Sequence, residues 1–123
     1  MNGNKLVACS MGKEHVVIPD GVKTIGKYAF ANCHVKSVIM PDSVKEINES
    51  AFSSCSNLET VIFGKHVESI GDKAFGACVN LKSVTLPESI RLIGNYAFFR
   101  VGLKSVQLSE GLLKIGLVRL RRL

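Results

Sequence analysis

An alanine–phenylalanine pair recurs along this chain at a nearly constant spacing, and this repeat restricts the folds available to it. The pairs are Ala29-Phe30, Ala51-Phe52, Ala74-Phe75 and Ala97-Phe98. Successive phenylalanines are separated by 22, 23 and 23 residues. A fixed period of about 20–29 residues, in a chain rich in leucine and valine, is typical of a solenoid. In such a fold each repeat is one coil, and a coil is stable only when stacked on its neighbours.

Each repeat also contains a short segment in which apolar and polar residues alternate. Val38, Val61, Val84 and Val106 are each followed two residues later by a large apolar side chain. Alternation with a period of two predicts a short β-strand with one face inward. Stacked coils would bring these strands together in a parallel sheet. A proline such as Pro41 or Pro87 ends the strand, because proline cannot donate a hydrogen bond to the ladder.

A second part of the repeat predicts another extended layer and a corner. Valine, isoleucine or leucine is followed three residues later by isoleucine, which indicates a second, shorter strand. Glycine or asparagine comes next, at Gly26, Asn48, Gly71, Gly94 and Gly116. This exchange favours a positive φ and a sharp corner at that column. The Ala-Phe pair beyond it predicts one helical turn, with Asp72 and Asn95 as N-caps.

These columns resemble those of the BspA-like leucine-rich repeat family. Residues 81–98, preceded by Phe75, Cys78 and Asn80, match its pattern L-x-x-V-x-L-P-x-S-I-x-x-I-G-x-x-A-F-x-x-C-x-N almost position for position. The resemblance extends from Val16 to Gly116. Members of that family are mostly bacterial and protozoan surface or secreted proteins, and some are implicated in adhesion to host matrix proteins or cells. The resemblance therefore implies a surface or secreted protein. The family has no catalytic residues that could be transferred to this sequence.

The predicted fold is therefore α/β, a leucine-rich-repeat right-handed solenoid of about five coils of 22–23 residues. A parallel sheet is expected on the concave face, with short helical turns on the convex side. Residues 16–116 would form the solenoid and residues 1–15 an N-terminal edge or cap segment, with a short strand near Leu6. Residues 117–123 would form a basic and apolar C-terminal tail.

The residue types that most often carry chemistry are arranged unfavourably for a catalytic or metal site. Cys33, Cys55 and Cys78 recur at the period of the coil, and Val101 stands in the same column, which favours buried thiols that act as small core side chains. The three histidines fall in three different columns and cannot easily converge on a metal. No Ser-His-acid motif or phosphate loop occurs. We predict a protein without enzymatic activity, metal or cofactor.

The outward face of the strand column is the best candidate for a partner-binding surface. Alternation places one outward residue after each strand valine and one before it. The residues after the valines are Val17, Ile39, Ile62, Thr85 and Gln107. The residues before them include Ser37, Thr60, Ser83 and Ser105. We predict that Val17, Ile39 and Ile62 form an exposed apolar patch. The alternative is that β-branched residues simply suit a solvated sheet.

Charge and the chain ends suggest a second kind of contact. Of the net charge of +6, half lies in the tail, whose predicted contact residues are Leu117, Arg119, Leu120, Arg121, Arg122 and Leu123. The absence of a basic stripe interleaved with aromatic residues disfavours nucleic-acid binding. The tail is expected either to dock on another copy of the chain or to be the frayed or truncated end of a longer array.

Two classes of function follow from the sequence. The favoured one is a non-enzymatic, adhesin-like recognition module that binds a host or matrix protein through the strand face. The alternative is a structural unit that self-associates through uncapped ends, or an intracellular scaffold. No apolar run approaches the twenty residues needed to span a membrane, and none resembles a signal peptide. A surface or secreted location is implied only by the family resemblance.

Overall fold

A computed structural model describes residues 13–82 and 84–102, together with the backbone of residues 5–6 and 114–115. This part of the chain winds as a parallel-sheet solenoid. In chain order its strands are β1 (Lys5–Leu6), β2 (His15–Val17), β3 (Thr24–Ile25), β4 (Ser37–Ile39), β5 (Glu46–Ile47), β6 (Thr60–Ile62), β7 (Ser69–Ile70), β8 (Leu92–Ile93) and β9 (Lys114–Ile115). One sheet has the order β2-β4-β6, and the other has the order β1-β3-β5-β7-β8-β9.

Both sheets have the register predicted from the repeat. In the first, Val16 pairs with Val38, and Val38 pairs with Val61. In the second, the isoleucine that ends each strand pairs with its equivalent in the next coil from β3 to β9. Because every pairing joins equivalent positions of successive coils, like side chains form continuous rows through the interior.

The aromatic row shows how tightly the coils are stacked. The rings of Phe30 and Phe52 lie 5.0 Å apart and nearly parallel, and so do those of Phe52 and Phe75. Phe75 and Phe98 continue the stack at 5.4 Å. All four rings are buried. The spacing matches the separation of about 4.8 Å between neighbouring strands, so each coil contributes one ring per rung.

The helical turn predicted around each Ala-Phe pair is not confirmed, since no helix occurs in residues 13–82 and 84–102. Left-handed residues such as Tyr28 and Asn32, both with φ of 60°, interrupt the segment at intervals of four. The amide of Phe30 instead donates to the carbonyl of Ala51 in the next coil, at 2.7 Å. Amides that donate to the next coil alternate with amides that donate to the carbonyl three residues back, as Ala29 does to Gly26, so the segment is a chain of turns.

The glycine column also differs from the prediction. Among the described residues, Gly21 is the only glycine with a positive φ, at 95°. Gly71 is needed for a different reason: a Cβ there would lie 2.7 Å from the backbone nitrogen of Glu49. The left-handed position stands two residues further on, at Ser50, Lys73 and Tyr96. Asp72, predicted as an N-cap, accepts a hydrogen bond from the amide of Asn95 in the next coil, at 2.7 Å.

The N-terminal strand occupies one edge of the longer sheet. β1 pairs in parallel with β3, matching Leu6 to Ile25. This adds a strand before the first predicted coil. The division at residues 15/16 and 116/117 remains a prediction, and residues 117–123 lie outside the described part of the chain.

Candidate protein-binding face

The sheet formed by β2, β4 and β6 presents two aligned rows of outward side chains, here called the strand face. Pairing matches Val17 to Ile39 and Ile39 to Ile62, which forms the apolar row. The second row runs from His15 through Ser37 to Thr60, and the His15 Nδ1 atom lies 2.7 Å from the Ser37 hydroxyl. Backbone pairing fixes both rows, so the face is a regular and preformed surface.

The apolar row is open to solvent while the valines behind it fill the core. Val17, Ile39 and Ile62 leave 70%, 41% and 51% of their surface exposed. Val38 and Val61 between them are buried. An apolar row on the solvent side of a sheet has no role in packing the interior, and adjoining exposed apolar side chains are characteristic of contact surfaces.

A shallow recess adjoins the last described part of this face. It has a volume of about 440 Å³ and is lined by Thr60, Val61, Ile62, Phe63, Thr85 and Pro87. Thr85 is exposed and stands where the next coil continues the apolar row. The recess therefore combines methyl groups and hydroxyls on a wall formed by two coils, which suits a side chain of a protein partner better than a buried small molecule.

Charged residues border the face where each coil enters its strand. Glu14, Lys36, Glu59 and Lys82 occupy this position in successive coils, and we call them the charge row. The Lys36 Nζ atom lies 3.1 Å from a carboxylate oxygen of Glu14. The backbone amide of Glu59 donates to the carbonyl of Lys36 at 2.8 Å, which keeps the row in register. The 22–23-residue period that aligns the strands also aligns these four residues, so their common position follows from the sequence.

Not every residue predicted for the site falls in the described part of the chain. Val17, Ile39, Ile62, Thr60 and Thr85 are exposed there, and Ser37 is half-buried. Ser83, Ser105 and Gln107 lie outside the described residues, as do the tail residues Leu117, Arg119, Leu120, Arg121, Arg122 and Leu123. The face is therefore described over the four coils that carry Val17, Ile39, Ile62 and Thr85, and the tail contact stays a prediction.

The cysteine column lies in the core, away from the strand face. Cys33, Cys55 and Cys78 are all buried. The Cys55 thiol donates to the carbonyl of Phe30 at 2.9 Å, and the Cys78 thiol donates to that of Phe52 at 3.1 Å. The side-chain hydrogen bond with Cys55, together with burial, raises the pKa of Cys78 well above its ordinary value of 9.0. A protonated, buried thiol is a poor nucleophile, so Cys78 has a packing role.

The described residues hold neither a cluster of potential metal ligands nor a helix that could span a membrane. No group of three or more His, Cys, Asp or Glu side chains in residues 13–82 and 84–102 is arranged to hold a metal ion. Within the same residues, no helix has the length and apolar character required to cross a bilayer.

Comparison with known proteins identifies the repeat. A profile of the BspA type leucine-rich repeat region matches residues 5–118 with six copies, one more than the five coils predicted from the sequence. The chain belongs to the BspA-type leucine-rich repeat family. Repeats of this family indicate a protein-interaction module, and its members are generally non-enzymatic. No protein with curated annotation matched the chain significantly.

Solved structures of bacterial repeat proteins share this BspA-type fold. A leucine-rich repeat protein from Bacteroides ovatus is 36% identical, with a TM-score of 0.78 over 83% of this chain and 29% of that one. A leucine-rich cell surface protein from Faecalibacterium prausnitzii is 30% identical, with a TM-score of 0.72 over 84% of this chain and 31% of that one. A third, from Bacteroides capillosus, is 27% identical, with a TM-score of 0.78 over 87% and 88% of the two chains.

The lengths of these relatives limit what can be transferred from them. The BspA-type chain described here spans less than a third of the B. ovatus and F. prausnitzii proteins, but most of the B. capillosus protein. The similarity therefore establishes the repeat and its winding, and the activity of the longer proteins is not assigned to this chain.

Proposed function

We propose that this BspA-type solenoid is an adhesin-like recognition module that binds a host or extracellular-matrix protein through the strand face. The observation that carries the proposal is the apolar row of Val17, Ile39 and Ile62. These side chains are exposed to solvent, and the register of the sheet holds them in line. The name of the F. prausnitzii relative, a cell surface protein, supports a surface location for this chain as part of the same proposal.

The geometry of the face favours recognition by side chains. The backbone groups of β4 are paired with β2 on one side and β6 on the other. A partner at the centre of this sheet therefore cannot add a strand and must contact the outward side chains. Apolar side chains at the centre with charged groups at the rim form the arrangement typical of protein–protein contacts.

The test is a double substitution at the centre of the apolar row. Ile39→Lys/Ile62→Lys places two charges where an apolar partner surface would sit, and we expect binding to immobilised extracellular-matrix extract to fall by at least about tenfold. Surface plasmon resonance at submicromolar protein concentration measures the loss. Both side chains are exposed, so circular dichroism should show an unchanged fold.

The matched control is Val79→Lys/Leu92→Lys, which adds the same two charges at exposed apolar sites away from the strand face. Val79 and Leu92 are 52% and 44% exposed, similar to the tested pair. The control should bind like wild type. Equal binding by all three proteins would refute the proposed site, and equal loss in both variants would show a nonspecific effect of charge.

A further inference from the structure

The two outward rows of the strand face differ in chemistry and run side by side along the stack. One is the apolar row of Val17, Ile39 and Ile62. The other, here called the donor row, consists of residues that can donate hydrogen bonds from their side chains, namely His15, Ser37 and Thr60. In the sequence the hydroxyls of Ser83 and Ser105 continue the donor row, outside the described residues.

The donor row presents a donor to a partner whichever tautomer His15 adopts. The His15 Nδ1 atom and the Ser37 hydroxyl lie 2.7 Å apart. A neutral imidazole and a hydroxyl carry one donor each, and their mutual hydrogen bond uses one of the two. If Ser37 donates, the Nε2–H group of His15 remains for a partner, and if His15 donates, the Ser37 hydroxyl remains. The exposed Thr60 offers a further hydroxyl in the next coil.

The size of the strand face suits one extended segment of a partner. From Val17 to Thr85 the face spans four coils, or about 14 Å at about 4.8 Å per coil, and its two rows are about 7 Å apart on each strand. The roughly 800 Å² that each partner buries in a standard interface between globular proteins is several times larger. The face therefore holds a linear segment rather than the broad surface of a globular domain.

The spacing of the coils selects the conformation of that segment. A polyproline II helix advances about 9.3 Å in three residues, and two coils advance about 9.6 Å. One face of a strand repeats about every 6.8 Å and an α-helix turns every 5.4 Å or so, and neither distance matches one or two coils as closely. Over the described face the mismatch is about 0.5 Å for polyproline II and about 2 Å for an α-helix. A polyproline II chain therefore repeats its contacts on every second coil.

We infer that the strand face recognises a proline-rich segment in the polyproline II conformation, which lies along the stack with an apolar side chain at every third residue. The inference rests on the proposed function, because it names the kind of segment that the same face binds. One apolar side chain packs where Val17 and Ile39 meet. The next, two coils further on, enters the recess beyond Ile62, which Phe63 and Pro87 help to line.

The donor row supplies the polar half of this recognition. The backbone carbonyls of a polyproline II segment have no hydrogen-bond partners within the helix. Thr60 and the pair of His15 and Ser37 stand beside the path of the segment and can donate to those carbonyls. Apolar contact along one row and donors along the other match the two kinds of group that such a segment exposes.

Two labelled peptides of identical composition test the period. The probe has three Pro-Pro-Leu triplets, which place all its leucines on one side of the helix, about 9.3 Å apart. The control has leucine at its second, sixth and seventh positions and proline elsewhere, which places the leucines on three different sides. We expect the probe to bind at least about tenfold more tightly, because only its leucines reach the apolar row together. Fluorescence anisotropy with protein up to about 1 mM, the range of a weak complex, measures both.

Three variants place the peptide on the strand face. Ile39→Lys/Ile62→Lys should weaken binding of the probe at least about tenfold, whereas Val79→Lys/Leu92→Lys should bind it like wild type. Thr60→Val keeps the shape of the side chain but removes its hydroxyl, and should weaken binding about fivefold, the value of one hydrogen bond. Equal affinity for the two peptides, or no binding of either, overturns the inference. So does a probe affinity that Ile39→Lys/Ile62→Lys or Thr60→Val leaves unchanged.

The two proposals on this face fail in distinguishable ways. If the face does not discriminate between the peptides but Ile39→Lys/Ile62→Lys abolishes binding to the matrix extract, the polyproline II partner is refuted and the recognition function stands. If the face selects the probe but binding to the extract is insensitive to that double substitution, the face recognises polyproline II segments and the proposed matrix function is refuted.

Discussion

Replacing Phe52 by alanine is expected to lower the free energy of unfolding by about 4 kcal/mol, within the range for truncation of buried phenylalanine. Phe52 is fully buried and its ring is stacked on Phe30 and Phe75, each 5.0 Å away. Truncation removes both stacking contacts and leaves a cavity that neighbouring coils cannot close without losing their hydrogen bonds. Urea unfolding monitored by circular dichroism measures the change.

The effect is large relative to the total stability of such a domain, which is roughly 5–15 kcal/mol. Val17→Ala is the matched control, since Val17 is exposed and its truncation should change stability by less than about 0.5 kcal/mol. A loss below 1 kcal/mol for Phe52→Ala would mean that the phenylalanine row does not hold the coils together.

Replacing Gly64 by alanine is expected to cost about 3 kcal/mol, near the upper end of the usual cost of overpacking. A Cβ at this position would collide with the carbonyl oxygen of Pro41 and lie 2.7 Å from its carbonyl carbon. Both are backbone atoms of the preceding coil and cannot rotate away. The two coils must separate locally, which strains the hydrogen bond from the Met40 amide to the Ile62 carbonyl, now 2.9 Å long.

Gly76→Ala is the control for this substitution. The nearest atom to a Cβ at Gly76 is the carbonyl oxygen of Lys73, at 3.3 Å, so a small adjustment suffices and the cost should stay below about 1 kcal/mol. Thermal unfolding of the two variants compares them. Equal stability of Gly64→Ala and Gly76→Ala would contradict the close approach of the coils at Gly64.

The parts of the fold that were predicted correctly all depend on the period of the repeat. Equivalent residues of successive coils must superpose in a solenoid, so Val16, Val38 and Val61 were aligned from their spacing alone. Alternation then indicated which side chains point outward, and the exposure of Ile39 and Ile62 agrees with it. The alignment also indicated the buried position of Cys55 and Cys78.

The errors arose where neighbouring coils compete with local preference. An Ala-Phe pair after a possible N-cap favours a helical turn when the segment is considered alone. In the solenoid, the amide of Phe30 has a carbonyl of the next coil within reach, and left-handed residues such as Tyr28 direct it there. Glycine at Gly71 was interpreted as a source of positive φ, whereas contact with the adjacent coil is what excludes a side chain.

The sequence by itself determined the length of a coil, the residues that stack in the core and the residues that face outward, because these follow from a period and an alternation. Only the tertiary structure decided how the turns bond and which glycines are sterically required. Those features depend on distances between adjacent coils, about 5 Å apart in space but more than twenty residues apart in the chain.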